Sequence, residues 1–228
     1  MVRNTLAEVK PQSSAETPEY TLNHNPPKTR IQRKNRETIL DAALDVFSTD
    51  GFRGATLDQI ASRADLSKPN LLYYFPSKEA IYTALLSELL EAWLDPLHAI
   101  TGLRDPVDEI TDYVRLKLQM SREFPRESRL FANEIVQGAP RIIAEIEGPL
   151  KTLVDDKAEL FQRWIKDGKI AEVDPYHLIF SIWATTQHYA DFSVQVQGIL
   201  QSEGDAHFAD AETFLVNLYA SLLKPGTS

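Results

Sequence analysis

Residues 56–75 read TLDQIASRADLSKPNLLYYF, and the reading of this stretch decides the fold. Thr56 and Gln59 have the spacing of a capping box, in which a hydroxyl and a carboxamide each satisfy a free amide at a helix start. Leu57, Ile60, Ala61 and Ala64 recur behind it at helical spacing, and this short helix ends by Asp65. Ser67 caps the next helix, with Pro69 in the first turn, where a missing N–H does no harm. Leu71 and Phe75 share its inner face, and Pro76 ends it. Two short helices joined by such a tight turn make a helix-turn-helix. Leu57, Ile60, Ala61, Leu66 and Leu71 can close its small core. Ser67, Lys68, Asn70, Tyr73 and Tyr74 then fall at the start and outer face of the second helix. Lys68 and Tyr74 suit phosphates, Asn70 a base edge, and Tyr73 a thymine methyl or a phosphate. The amides at Thr56 and at residues 77–78 open helices and would add phosphate contacts. Each residue also has a plain reading as a surface cap or a core-edge tyrosine, because this motif serves elsewhere as mere scaffold.

Upstream, a first helix is expected over about residues 31–50, with Ile39, Ala42, Ala43, Val46 and Phe47 on one face. Gly51 stops it where a positive φ is wanted. Lys28, Arg30, Arg33, Lys34 and Arg36 form a run of cations with no acid among them, and Lys78 flanks the motif downstream. The chain as a whole carries −9, which by itself argues against a polyanionic partner. Residues 1–78, however, hold 11 Lys and Arg against 9 Asp and Glu, whereas residues 79–228 hold 13 against 24. A locally basic head on an acidic body is the asymmetry expected when only the head meets a nucleic acid.

Ser77 opens a fourth helix that runs to about residues 97–100. Further helices are expected over about 107–123, 126–137, 141–146, 149–167, 174–200 and 206–223, the sixth ending at the Gly138–Ala139–Pro140 turn. No stretch shows the alternation of a strand, so the fold class is all-α. Three parts are expected: a flexible Pro- and Ser-rich tail over 1–27, a helix-turn-helix DNA-binding domain over 28–80, and an effector-binding and dimerisation domain over 81–224. The longest apolar runs are too short to cross a membrane, and residues 1–27 lack the apolar core of a secretory signal, so a cytoplasmic protein is expected.

Catalytic readings find little support. There is no cysteine, which removes thiolate chemistry and Cys-ligated metal sites. No phosphate-cradling glycine loop and no G-x-S-x-G elbow occurs, and the five histidines show no i, i+4 pairing of the zinc type. The expectation is a non-enzyme with neither metal nor cofactor.

Residues 36–82, RETILDAALDVFSTDGFRGATLDQIASRADLSKPNLLYYFPSKEAIY, resemble the N-terminal DNA-binding domain of the TetR family of transcriptional regulators. One departure is Asp65 in the turn, where many family members place glycine; aspartate tolerates the left-handed conformation better than most residues. The stretches YVRLKLQMSREFP, SRLFANEI and DPYHLIFSIWATTQHYADF resemble the branch of that family that controls pyrimidine utilisation. The resemblance implies a homodimer on double-stranded operator DNA, acting as repressor or activator, with uracil or a close relative as effector and pyrimidine catabolism genes as targets.

Such a regulator needs a second site that discriminates between two conformations. Tyr176, Phe180, Trp183 and Gln187 lie on one helical stripe, continued by Ala190 and Asp191, and Gln187 is its polar member. Lys117 interrupts the apolar positions Tyr113, Val114, Leu116, Leu118 and Met120, and Trp93 lies near the end of the fourth helix. Trp93, Lys117, Trp183 and Gln187 are therefore the candidate ligand-binding residues for a small planar molecule with adjacent C=O and N–H groups. The plain reading puts the aromatics in the core and sends Gln187 and Lys117 to solvent or a carboxylate. The last two helices are expected to pair with their copies as a four-helix bundle, with apolar contributors within 179–196 and 208–223. Two other readings stay open: the same regulator with an unrelated effector, or a helical enzyme or adaptor whose helix-turn-helix is structural.

Overall fold

The computed structural model describes residues 30–226; the tail expected over 1–27 lies outside them. Every regular element among the described residues is helical. The order is α1 (Arg30–Gly54), α2 (Leu57–Arg63), α3 (Lys68–Tyr74), α4 (Lys78–His98), α5 (Pro106–Glu123), α6 (Pro125–Val136), α7 (Ile143–Glu145), α8 (Lys151–Lys166), α9 (Pro175–Asp191), α10 (Ser193–Leu200) and α11 (Phe208–Leu222). A π-helical turn, Ile146–Leu150, joins α7 to α8.

Local chemistry sets the head's boundaries. Gly51 breaks α1 with φ 67° and ψ 172°, which a residue with a side chain adopts only at a cost. Thr56 closes the full capping box with Gln59, and Ser67 and Ser77 accept from the amides of Asn70 and Ala80. Asp65 takes the left-handed turn at φ 54°. Ile39, Ala43, Phe47, Ile60, Leu71, Phe75 and Ile81 make the buried centre of α1–α4, while Leu57 and Leu66 are half-buried at its edge. This core does not stop at the end of the head: Leu130 of α6 and Ala139 and Ile142 after it belong to the same cluster.

The body has a second core, in which α5 packs chiefly on α9 and α11 through Ile110, Tyr113, Val114, Ile179, Ile182, Leu215 and Tyr219. Two expectations about the body are corrected. Instead of one helix over 174–200, the chain bends at Phe192 (φ −114°, ψ 29°), so α9 and α10 diverge. Instead of two helices separated near residue 148, α7 and α8 are continuous through the π-turn, which absorbs Pro149 by widening.

Candidate functional site

The second helix of the motif, α3, buries Leu71 and leaves Ser67, Lys68, Asn70 and Tyr73 exposed, Tyr73 by 72%. Its outer tyrosines are braced from α1. Asn35 donates to the Tyr74 hydroxyl at 2.8 Å, and Gln32 donates to that of Tyr73 at 3.3 Å. The two rings meet edge to face at 5.2 Å between centroids. These bonds set the basic first turns of α1, with Arg33 and Lys34 exposed, beside the polar face of α3. Arg33 is 3.8 Å from Glu37, and Lys68 pairs with Asp58 at 2.9 Å. Surface pairs of this kind are weak enough for a phosphate to displace the carboxylate. Thr56 is exposed at the start of α2, its hydroxyl committed to the cap.

The Lys78 side chain is committed within the protein. Its ammonium donates to the carbonyls of Phe52 and Ala55 at 2.7 Å each and lies 4.6 Å from the Phe52 ring centroid. It therefore holds the α1–α2 connection rather than a phosphate, and only its backbone amide remains at the helix start. Arg36 is likewise structural, over the Phe75 ring at 4.5 Å and beside Glu88 at 3.5 Å.

The candidate ligand-binding residues lie where α4, α5, α6 and α9 converge. Lys117 projects from α5 and is only 2% exposed, with its ammonium 5.3 Å from the ring centroid of Trp93 on α4. It forms no ion pair with a described carboxylate. Burial pulls its amine down to about 7, against a smaller opposing pull from Asp191. Burial also raises the Asp191 carboxyl, although Ser128 of α6 donates to it at 2.6 Å and Arg129, His188 and Lys117 favour its charge. Trp183 is half-buried on α9, and its indole N–H donates to the Tyr113 hydroxyl at 2.6 Å. Gln187 is half-buried between Trp183 and Asp191 on the same helix, its amide unbonded to any other described residue.

The structure thus joins Trp93 to Lys117 and ties Trp183 of α9 to Tyr113, one turn before Lys117 on α5, with Gln187 one turn after Trp183. Of the rest of the sequence stripe, Tyr176 is 41% exposed and its hydroxyl bonds Asp155 instead, whereas Phe180, 46% exposed, keeps its ring 5.7 Å from that of Trp183. Sequence reasoning missed Ser128, which carries no signal in its own segment; only folding α6 against α9 brings it to Asp191. Among the described residues, no group of three or more His, Asp or Glu is placed to hold a metal ion.

Outward-facing apolar residues occur on the last helices. Phe180 is exposed in the first half of α9, Phe192 and Val194 at the α9–α10 bend, and Phe214, Leu218 and Leu222 on one face of α11. Ile179, Ile182, Leu215 and Tyr219, which also fall in the expected interface ranges, are buried within the protomer.

Comparison with known proteins follows this division. Residues 39–85 match the model for bacterial regulatory proteins of the tetR family, and residues 86–226 match that for the C-terminal region of YcdC-like proteins. Over 172 residues the chain is 51% identical to the HTH-type transcriptional regulator RutR of Escherichia coli K12, covering 75% of this chain and 81% of the relative. The RutR of Shigella flexneri matches to the same extent. Among solved structures, AibR in complex with isovaleryl coenzyme A and operator DNA superposes with a TM-score of 0.63 at 17% identity, covering 84% of this chain and all of AibR. GusR of Salmonella enterica gives 0.60 at 22% identity, covering 87% and 99% of the two chains. At such identities these structures speak for the fold alone.

Proposed function

This chain belongs to the TetR family and is a transcriptional regulator of that type, and from that premise we propose that it is a uracil-responsive homodimer controlling genes of pyrimidine catabolism. Family membership leaves the rival enzyme or adaptor reading without support. The observation that carries the effector assignment is the buried, unpaired Lys117 beside Trp93, with the unbonded Gln187 amide on α9, the helix packed against α5. A buried cation without a counter-ion is costly unless a ligand supplies acceptors. A pyrimidine dione offers two carbonyls to Lys117 and Gln187, an N–H to the Gln187 carbonyl, and a flat face to the indoles. The RutR relatives and the pyrimidine-regulator resemblance of residues 113–125 and 174–192 support the same reading. No further cofactor is proposed.

On the DNA side, Arg33, Lys34, Thr56, Ser67, Lys68, Tyr73 and Tyr74 would contact the backbone, with Asn70 reading a base edge and Tyr73 also reaching a thymine methyl. One head covers a single half-site. Two heads about 34–36 Å apart would grip a pseudo-palindromic operator. Phe180, Phe214, Leu218 and Leu222 supply the apolar face for the dimer. The protein would act in the cytoplasm, where its DNA is; no helix among the described residues is long and apolar enough to cross a membrane.

A thermal-shift titration with uracil, thymine and unrelated metabolites tests the effector. Uracil at 100 times its Kd should stabilise the native state by about 2.7 kcal/mol. A shift with an unrelated metabolite and none with any pyrimidine would overturn the assignment.

A further inference from the structure

Arg141 stands in the turn after α6, and contacts from three parts of the molecule converge on it. Its backbone N–H donates to Glu134 Oε1 at 3.0 Å, and its guanidinium donates to Glu134 Oε2 at 3.1 Å and to Glu79 Oε1 at 3.0 Å. Its Cζ lies 3.9 Å from the Phe52 ring centroid and 5.2 Å from that of Tyr82. Glu134 belongs to α6, Glu79 and Tyr82 to α4, and Phe52 to the end of α1, four residues before the cap of α2. Phe52 is also the ring and carbonyl held by Lys78, so two cations grip the segment that leads into the helix-turn-helix.

The α6 side of the clamp is buried, whereas Glu79 on α4 is exposed. Glu134 is 1% exposed, and the Tyr82 hydroxyl is pushed up to about 12 by burial and then by the Glu134 charge. Charges in such surroundings hold one geometry, since letting go strands an ion away from water. The turn that carries Arg141 is itself constrained, with Gly138 at φ 90° and Ala139 at φ 52°, a conformation unfavourable for a residue with a side chain. The π-helical turn follows within a few residues.

Both helices held by Arg141 run back to the candidate effector residues, α4 through Trp93 beside Lys117 and α6 through Ser128. On α4, Trp93 lies 14 residues from Glu79, or about 21 Å along the axis; on α6, Ser128 lies about 9 Å from Glu134. Ser128 bonds Asp191 there. At the near end of α6, Arg126 also pairs with Asp45 of α1.

We propose that Arg141 is the positioning residue that couples the Lys117–Trp93 region to the head: through Glu134, Glu79 and Phe52 it makes any displacement of α6 and α4 there a displacement of the segment carrying α2 and α3. The proposal rests on that region being the effector site. It assigns Arg141 no contact with DNA or with the ligand.

The test compares full-length wild type, Arg141→Ala, Arg141→Lys, Ser128→Ala and the Ser128→Ala/Arg141→Ala double variant. Operator affinity is measured by fluorescence anisotropy with and without saturating uracil, and uracil affinity by calorimetry. Wild type should show at least a fivefold change in operator affinity on adding uracil. Arg141→Ala should bind uracil within about twofold of wild type yet respond by less than twofold. An unchanged wild-type response in this variant overturns the proposal. If Arg141→Ala does not fold, Arg141→Lys decides: it keeps the charge but cannot span both carboxylates, so a reduced response supports the clamp and a full one overturns it. If uracil leaves wild type unaffected, the effector assignment fails and the clamp is judged without ligand. In that case a non-additive effect of Ser128→Ala and Arg141→Ala on operator affinity, at least fivefold, sustains it, and additivity within twofold overturns it.

Discussion

The ammonium of Lys117 lies 5.3 Å from the centre of the Trp93 ring, and no described carboxylate pairs with it. A lysine so placed is a charge the fold tolerates rather than uses. Its amine falls from the ordinary 10.5 to about 7 because burial penalises the ammonium.

The first prediction concerns pH. Between about 7 and 10.5 the unfolded chain binds a proton that native Lys117 lacks, so stability rises with pH across that window. The slope is at most about 1.4 kcal/mol per pH unit. Lys117→Met should remove this contribution and raise Tm more at pH 6 than at pH 9. Uracil carbonyls favour the ammonium, so binding near pH 7.5 should take up a proton and weaken from pH 6 to 8. Calorimetry in buffers of different ionisation enthalpy reads that uptake directly. Proton-neutral binding would remove Lys117 from the ligand's contacts.

The second concerns the DNA face. Tyr74→Ala removes the ring that Asn35 braces, and should weaken binding to every duplex, operator or not. Asn70→Ala should instead relax preference at one base step, costing about 1–3 kcal/mol on operator only. Affinity should fall steeply between 50 and 200 mM salt, by about 10³-fold or more if six or more phosphates are contacted. Competition binding with single-base operator variants separates the two substitutions.

The third concerns the connection between α4 and α5. The Glu109 carboxylate accepts N–H bonds from Thr101, Gly102 and Arg104 at 2.7, 3.0 and 2.8 Å. Burial alone would raise this carboxyl, but the three amides and the Arg104 charge outweigh it and hold it below the usual range. The contribution is therefore present above the unfolded value of about 4.5 and lost as pH falls through the lower native value. Glu109→Gln should cost about 2–4 kcal/mol at pH 7 in denaturant titration, and progressively less below pH 4.

The fourth concerns the dimer. Leu218 is 42% exposed on α11, in line with Phe214 and Leu222. Leu218→Glu should yield monomers in sedimentation at micromolar concentration with unchanged helix content. Operator binding should fall at least a hundredfold, since one head covers one half-site. A dimer that survived this change would move the interface elsewhere.

What the sequence made legible was the part governed by neighbours along the chain. The Thr56–Gln59 box, the Ser67 and Ser77 caps, the stop at Gly51 and the left-handed Asp65 all depend on groups within a few residues, and each stands where it was expected. Lys117 was legible as a polar interruption of an apolar face, but that it meets Trp93 was not. The errors belong to contacts between distant segments. Nothing near Lys78 announces that carbonyls 23 and 26 residues upstream will take its ammonium. Tyr176 and Phe180 share helical spacing with Trp183, but spacing cannot say which flank of an apolar stripe meets α5. The bend at Phe192 has no proline or glycine to signal it.

The head's core is completed by Leu130, Ala139 and Ile142, which come from beyond the point where the two family models meet at residues 85 and 86. A chimera spliced at that junction onto a foreign sensor would bare apolar surface on α1 and α4 and lose the lid that seals it. Grafts that keep reading the same operator would have to import the sixth helix and its following turn as well. The heritable unit of specificity is accordingly larger than the motif that touches DNA.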